Sequence, residues 1–138
     1  MKLVFISDTH GKHNWIDSIP ECDILFHCGD MSNRGEYSIY ENLNTWLKNV
    51  PAKHVVLVPG NHDLTFESDP EEARAFFTRP NTHVLINQGA VIEGLKIWGS
   101  PTTRRFFDWA FMKDPGPTIQ AVWDKIPDGV DVLITHGP

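Results

Sequence analysis

Four runs of apolar β-formers, each closing in Asp, Asn or His, set the rhythm of the chain. Leu3-Val4-Phe5-Ile6 leads into Ser7-Asp8-Thr9-His10, and Ile24-Leu25-Phe26-His27-Cys28 leads into Gly29-Asp30. Val55-Val56-Leu57-Val58 leads into Pro59-Gly60-Asn61-His62-Asp63, and Val132-Leu133-Ile134-Thr135 leads into His136-Gly137. Short continuous apolar runs of this kind predict buried strands, here over 2–7, 24–28, 54–58 and 131–135. The stretch 8–22 is polar and loop-like, with Gly11 as a turn residue. Between the second and third strands, Ile39, Leu43, Trp46 and Leu47 recur at i, i+4, i+7 and i+8. That spacing predicts an amphipathic helix over 36–49, ended by Pro51.

Asp69-Pro70-Glu71-Glu72 is a helix start: an N-cap Asp, Pro in the first turn, and two acids at the positive end of the dipole. The helix is expected to run to Thr78, burying Ala73, Phe76 and Phe77, before Pro80-Asn81 breaks it. Val84-Leu85-Ile86, Ala90-Val91-Ile92 and Leu95-Lys96-Ile97-Trp98 then predict an antiparallel meander with tight turns at Asn87-Gln88-Gly89 and Glu93-Gly94. An irregular aromatic loop over 101–117 and a short helix over 118–126 precede the last strand. The order of elements implies a single α/β domain over 1–138, with two packed mixed β-sheets flanked by helices.

Composition changes this picture little. A chain of 138 residues is one domain's worth. Its formal charge of −6 argues against a broad nucleic-acid footprint. It leaves a phosphate substrate open, because bound metals reverse the local field. The two cysteines, Cys22 and Cys28, make a poor disulfide framework and no metal-thiolate motif. No apolar run approaches the ~18 residues that mark a membrane span, and Met1-Lys2 leads straight into a strand. No membrane association and a cytoplasmic location are therefore expected.

The strand ends change it a great deal. In open α/β sheets, ligands gather beyond the carboxyl ends of the strands. Four such ends would bring together Asp8, Asp30, Asp63, His10, His62, His136 and Asn61. Mixed O and N donors without thiolates suit manganese, iron or zinc, and a set this large suits two ions.

Asp8-x-His10, Gly29-Asp30, Gly60-Asn61-His62-Asp63 and His136-Gly137, in this order, resemble the successive motifs of the calcineurin-like metallophosphoesterase superfamily. Ser7-Asp8-Thr9-His10-Gly11, Gly29-Asp30-Met31-Ser32, Trp98-Gly99-Ser100-Pro101 and Thr135-His136-Gly137-Pro138 are similar to its branch of small metallophosphoesterase-domain proteins. The resemblance implies a metallophosphoesterase-like sandwich and two divalent metals, Mn2+ foremost, with Fe or Zn as alternatives. Asp30 would bridge them, Asp8 and His10 would hold the first, and Asn61 and His136 the second. The resemblance further implies phosphoester hydrolysis by a hydroxide activated between the metals, preferably of a small phosphodiester such as a cyclic nucleotide. His62 would bind a phosphate oxygen or protonate the leaving group, and Asp63 would orient its ring.

Three arginines are candidates for the substrate phosphate: Arg34, just past Gly29-Asp30, and Arg104 and Arg105, set among the aromatics of the 101–117 loop. Phe106, Trp109 and Phe111 either stack a base there or pack the loop onto the sheets. His13, His27, His54 and His83 match no motif position.

The superfamily pattern continues into further strands and a Gly-His-x-His motif that completes both metal sites, and this sequence carries none. Three readings of that departure are open: a fragment of a longer enzyme, one half of a split protein whose partner segment supplies the histidines, or a degenerate member. The last makes a non-catalytic metal- or nucleotide-binding module the alternative function.

Overall fold

A computed structural model describes residues 1–137, so Pro138 of the last motif lies outside the described residues. The first sheet is wholly parallel, in the order β1 (Leu3–Ile6), β2 (Cys22–His27), β3 (Ala52–Leu57) and β4 (Thr82–Val84). The second has the order β5 (Gln88–Ile92), β6 (Leu95–Ser100) and β9 (Val132–Thr135), antiparallel in its first pair and parallel in its second.

The unbroken apolar runs make sense against two cores. Successive side chains on a strand point to opposite faces. Leu25, Val55 and Leu57 face a core shared with α1 (Tyr37–Leu47), α2 (Leu64–Ser68) and α3 (Pro70–Ala75). Ile24, Phe26, Val56 and Val58 face the second sheet, meeting Leu85, Ile92, Ile97 and Ile134. Both faces of β2 and of the Val55–Leu57 stretch of β3 are therefore dry, and apolar and polar residues have no reason to alternate there. α1 buries Tyr40, Leu43, Asn44 and Leu47; Tyr40, absent from the periodicity argument, is its most consequential residue.

Four expectations need correction. The meander is a single hairpin, β5–β6. The segment containing Val84 instead pairs parallel with β3 in the other sheet, because a short apolar run does not specify its partner strand. α3 stops at Ala75 rather than Thr78, although Asp69 caps it as expected by accepting the Glu72 N–H at 3.2 Å. The aromatic loop contains a two-residue parallel pair, β7 (Thr103–Arg104) with β8 (Met112–Lys113). The last helix, α4, covers Pro117–Trp123. Cys22 and Cys28 are free thiols. Among the described residues, no helix is long and apolar enough to cross a membrane.

Candidate metal centre

The parallel order of β1, β2 and β3 puts their carboxyl ends along one edge, and the loops that leave them are stitched together by backbone. The Asp8 N–H donates to the Gly29 carbonyl at 2.8 Å, His10 to Asp30 at 3.0 Å and Gly11 to Met31 at 2.9 Å. Three of the expected ligands take left-handed backbone: Asp8 at φ 54, His10 at φ 45 and Asp30 at φ 58. Asp and His tolerate this region better than most residues, and strain of this kind concentrates at functional sites. Asp8 and His10, two residues apart on one loop, both turn toward Asp30 on the next.

Asp30 is the centre of the arrangement. Its Oδ2 lies 3.6 Å from His10 Nε2, which is in turn 4.0 Å from Asp8 Oδ1. Its Oδ1 lies 3.3 Å from His136 Nε2, which is 3.1 Å from Asn61 Oδ1. Each carboxylate oxygen thus faces its own imidazole. Both rings are oriented from behind: His10 Nδ1 donates to the Ser32 carbonyl at 3.0 Å and His136 Nδ1 to the Cys28 carbonyl at 2.7 Å. A carbonyl can only accept, so Nδ1 carries a proton and Nε2 is the nitrogen that faces Asp30, free to take a ligand's place.

Burial works against the Asp30 charge, but the His136 ring and the His62 N–H, at 2.9 Å, outweigh it and hold its pKa below the usual range. Burial likewise lowers the His136 pKa, and the Asp30 carboxylate and Cys28 carbonyl reverse this to a net rise.

His62 stands beside this group. Its ring lies edge-on to His10 at 5.0 Å and against Trp109 at 4.0 Å, with the Arg34 guanidinium 5.4 Å from the Trp109 ring. Its expected partner is a correction. The His62 Nδ1 donates to the Asn33 carbonyl at 2.9 Å, and Asp63 does not reach it. Asp63 points the other way, fully buried, where its carboxylate accepts from the N–H groups of Gly60 (2.8 Å), Met31 (3.2 Å) and Ser32 (3.0 Å). It also accepts from Ser32 Oγ at 2.7 Å and the Tyr40 hydroxyl at 3.2 Å. Burial raises its pKa, against the pull of those donors. Asp63 clamps the loop after β2 to the loop after β3.

The arginines divide. Arg34 reaches the site through Trp109, as above. Arg104 lines an open groove together with Thr135 and His136. Arg105 is held by Asp114 at 2.6 Å. Two residues outside the motifs also join the site: His27, which matches no motif position, and Trp109, left open between stacking and packing. His27, fully buried, joins Thr9 Oγ1 at 2.8 Å and the Gly29 N–H at 3.3 Å, linking the first two motif loops; its place just before Gly29-Asp30 was the available signal. Trp109 is set by its neighbour, since the Ala110 N–H donates to the Asn61 carbonyl at 2.9 Å. No local pattern announces that.

Comparison with known proteins bears on what this geometry is for. The sequence profile of the calcineurin-like phosphoesterases matches residues 1–138, the whole chain. The chain belongs to that family. It is 31% identical over 160 residues to metallophosphoesterase domain-containing protein 1 of Homo sapiens, covering 99% of this chain and 48% of that protein. It is 32% identical over 152 residues to UPF0046 protein C25E10.12 of Caenorhabditis elegans, covering 100% of this chain and 54% of that one. It is also 31% identical to a probable rhamnogalacturonate lyase C of Emericella nidulans, of which it covers 14%. The chain thus spans about half the length of the first two relatives.

The family generally binds two divalent metals, and the donors here fit such ions. Asp8, His10 and Asp30 offer ligand atoms within 4.8 Å of one another, the one such His/Cys/Asp/Glu trio among the described residues. Asn61 and His136 add an amide oxygen and an imidazole nitrogen on the other side of Asp30. Hard and borderline donors without sulfur are what Mn, Fe and Zn take.

Proposed function

We infer that this chain carries the metal-binding core of a hydrolase of small phosphodiesters, nucleotides among them. The observation that supports this most strongly is the division of Asp30 between two imidazoles, one on each carboxylate oxygen. In this reading Asp8, His10 and Asp30 hold one ion, Asn61, His136 and Asp30 hold a second, and Mn2+ is the preferred metal. Bound there, divalent ions supply an activated water at neutral pH and offset phosphoryl charge.

The chain's own residues do the rest. Arg34 and Arg104 bind phosphoryl oxygens from the two sides of the site, while Arg105 stays with Asp114. His62 is fixed by the Asn33 carbonyl and the Trp109 face, leaving Nε2 to exchange a proton with substrate. As the water oxygen bonds to phosphorus and the ester P–O bond breaks, the doubly protonated His62 ring gives its Nε2 proton to the leaving oxygen, keeps its Nδ1 proton on the Asn33 carbonyl, and is recharged by the proton the water gives up. Asp63 is a positioning residue, acting through the loops it clamps. A further segment or second chain that supplies more histidines would complete the coordination of both ions, and the cytoplasm is the expected location.

The test is metal content after reconstitution with Mn2+, together with hydrolysis of bis(p-nitrophenyl) phosphate, for the wild type and Asp30→Ala. About two metals per chain and chelator-sensitive turnover, both lost in Asp30→Ala, are expected. Turnover that survives either the chelator or the substitution sinks the reading.

A further inference from the structure

Arg34, Trp109, His62 and His10 form a continuous row of contacts, the last of them edge-on, with successive separations of 5.4, 4.0 and 5.0 Å. Beside it lies an open groove of about 360 Å³ lined by Arg34, Leu64, Phe106, Phe107, Asp108 and Trp109. The groove therefore shares with the site the Trp109 ring that touches His62.

Its outer wall is unusual. Phe107 is 73% exposed and sits at φ 57, a left-handed conformation that bulky side chains avoid. Phe106 packs edge-on against it at 4.5 Å and is itself 50% exposed. The loop bearing them is pinned where it meets the site, by Ala110 N–H to the Asn61 carbonyl at 2.9 Å and Phe111 N–H to Glu67 Oε2 at 2.6 Å. Two aromatic rings are thus held out to solvent on a loop anchored to a motif residue. Packing alone would have turned them inward.

The Trp109 indole also lines the groove and carries the Arg34 guanidinium 5.4 Å from its ring. Aromatic walls with one cation, Arg34, among them match a planar, apolar ligand joined to an anion. Asp108 at the rim disfavours a second anionic substituent, which leaves Arg34 to the phosphoryl end.

We propose that this groove receives a planar aromatic group on the leaving-alcohol side of the phosphoester, so that the chain selects aryl- or nucleobase-bearing leaving groups over alkyl ones. The assignment of side rests on the phosphoester reading above, in which His62 serves the leaving oxygen. Phe107 and Trp109 are then specificity residues, and Arg34 links the aromatic pocket to the phosphate.

The test compares benzylphosphonate with ethylphosphonate, whose CH2 groups replace the ester oxygen and prevent turnover. Each is titrated by calorimetry into Mn2+-loaded wild-type protein and Phe107→Ala. Phe107 is exposed, so its truncation leaves the fold in place. Benzylphosphonate is expected to bind the wild type about tenfold more tightly than ethylphosphonate, the size of one aromatic stacking contact. In Phe107→Ala that advantage should disappear while ethylphosphonate affinity stays unchanged. Equal affinities in the wild type, or an equal loss of both ligands in the variant, overturn the groove and leave the phosphoester reading standing. Failure of both phosphonates to bind overturns the phosphoester reading and the groove together.

Discussion

The two halves of the site around Asp30 are built to different standards. Asp8 and His10 hang from a loop at the rim, with side chains 55% and 29% exposed, and only His10 is oriented by a backbone carbonyl. His136 is 8% exposed and wedged against two glycines. A Cβ on Gly29 would fall on the His136 ring, and one on Gly60 would fall on the Asp30 carboxylate and backbone. One half is thus held largely by solvent and charge, and the other by steric closure. Closure pre-organises a site because little freedom remains to be lost on binding, but it leaves no room for error. The exposed half should tolerate changes of shape and respond to changes of charge, and the closed half the reverse.

Asp63 underlies both halves, so its loss should have the largest effect. Asp63→Asn keeps the volume but turns an amide NH2 toward a ring of donors: three N–H groups and two hydroxyls. Leaving buried donors without an acceptor, and the loops unclamped, should cost about 3–5 kcal/mol. Urea unfolding should show the loss, and metal content should fall in both halves together. A variant of near wild-type stability would show that Asp63 is not the clamp.

Gly60→Ala separates the halves. The new methyl group meets Asp30 backbone as well as its carboxylate, so a side-chain rotation cannot relieve it. Overpacking of this kind costs about 1–3 kcal/mol, and it displaces the Oδ1 edge that faces His136. The ion of the closed half should be lost first, leaving at most one per chain by elemental analysis. Retention of the wild-type metal content would refute the steric account.

The same contrast explains what was legible in the sequence. Asp8, His10, Asp30 and Asn61 could be read because each follows an apolar run whose strand ends at one edge of the parallel sheet; His136 also follows such a run, but comes in from β9 of the second sheet. Asp63 sits in the same motif as Asn61, yet its partners come from loop and helix residues up to 32 positions away, Tyr40 among them. Spacing shows that it is near His62; it does not show which way it points. β4 was placed in the wrong sheet for a related reason, since Val84 pairs with Leu57 through a register that nothing local encodes. Trp109 stayed open between stacking a base and packing the loop because its placement depends on one backbone bond to Asn61. Arg105 looked available because its partner, Asp114, lies across the β7–β8 pair.

The smallest effect concerns the seam between the halves. His27 ties Thr9, in the exposed half, to Gly29, under the closed one. The Gly29 N–H donates to Nδ1, so the single ring proton is on Nε2 and goes to Thr9 Oγ1. Burial, with the nearby His13 and His136 rings, lowers the His27 pKa to about 3, although Asp30 pulls the other way. In the unfolded chain the same ring titrates near 6.5. Below that value the unfolded state takes a proton that the folded state refuses, so stability falls with falling pH and the loss continues down to about 3. The contribution is complete above the unfolded pKa and absent from His27→Gln, which retains an amide donor for Thr9. Between neutral pH and about pH 5, the stability advantage of the wild type over His27→Gln should shrink by about 2 kcal/mol. Urea unfolding of both proteins at the two pH values measures it. Parallel losses in the two proteins would mean that His27 charges in the folded state, and that the seam is open to water.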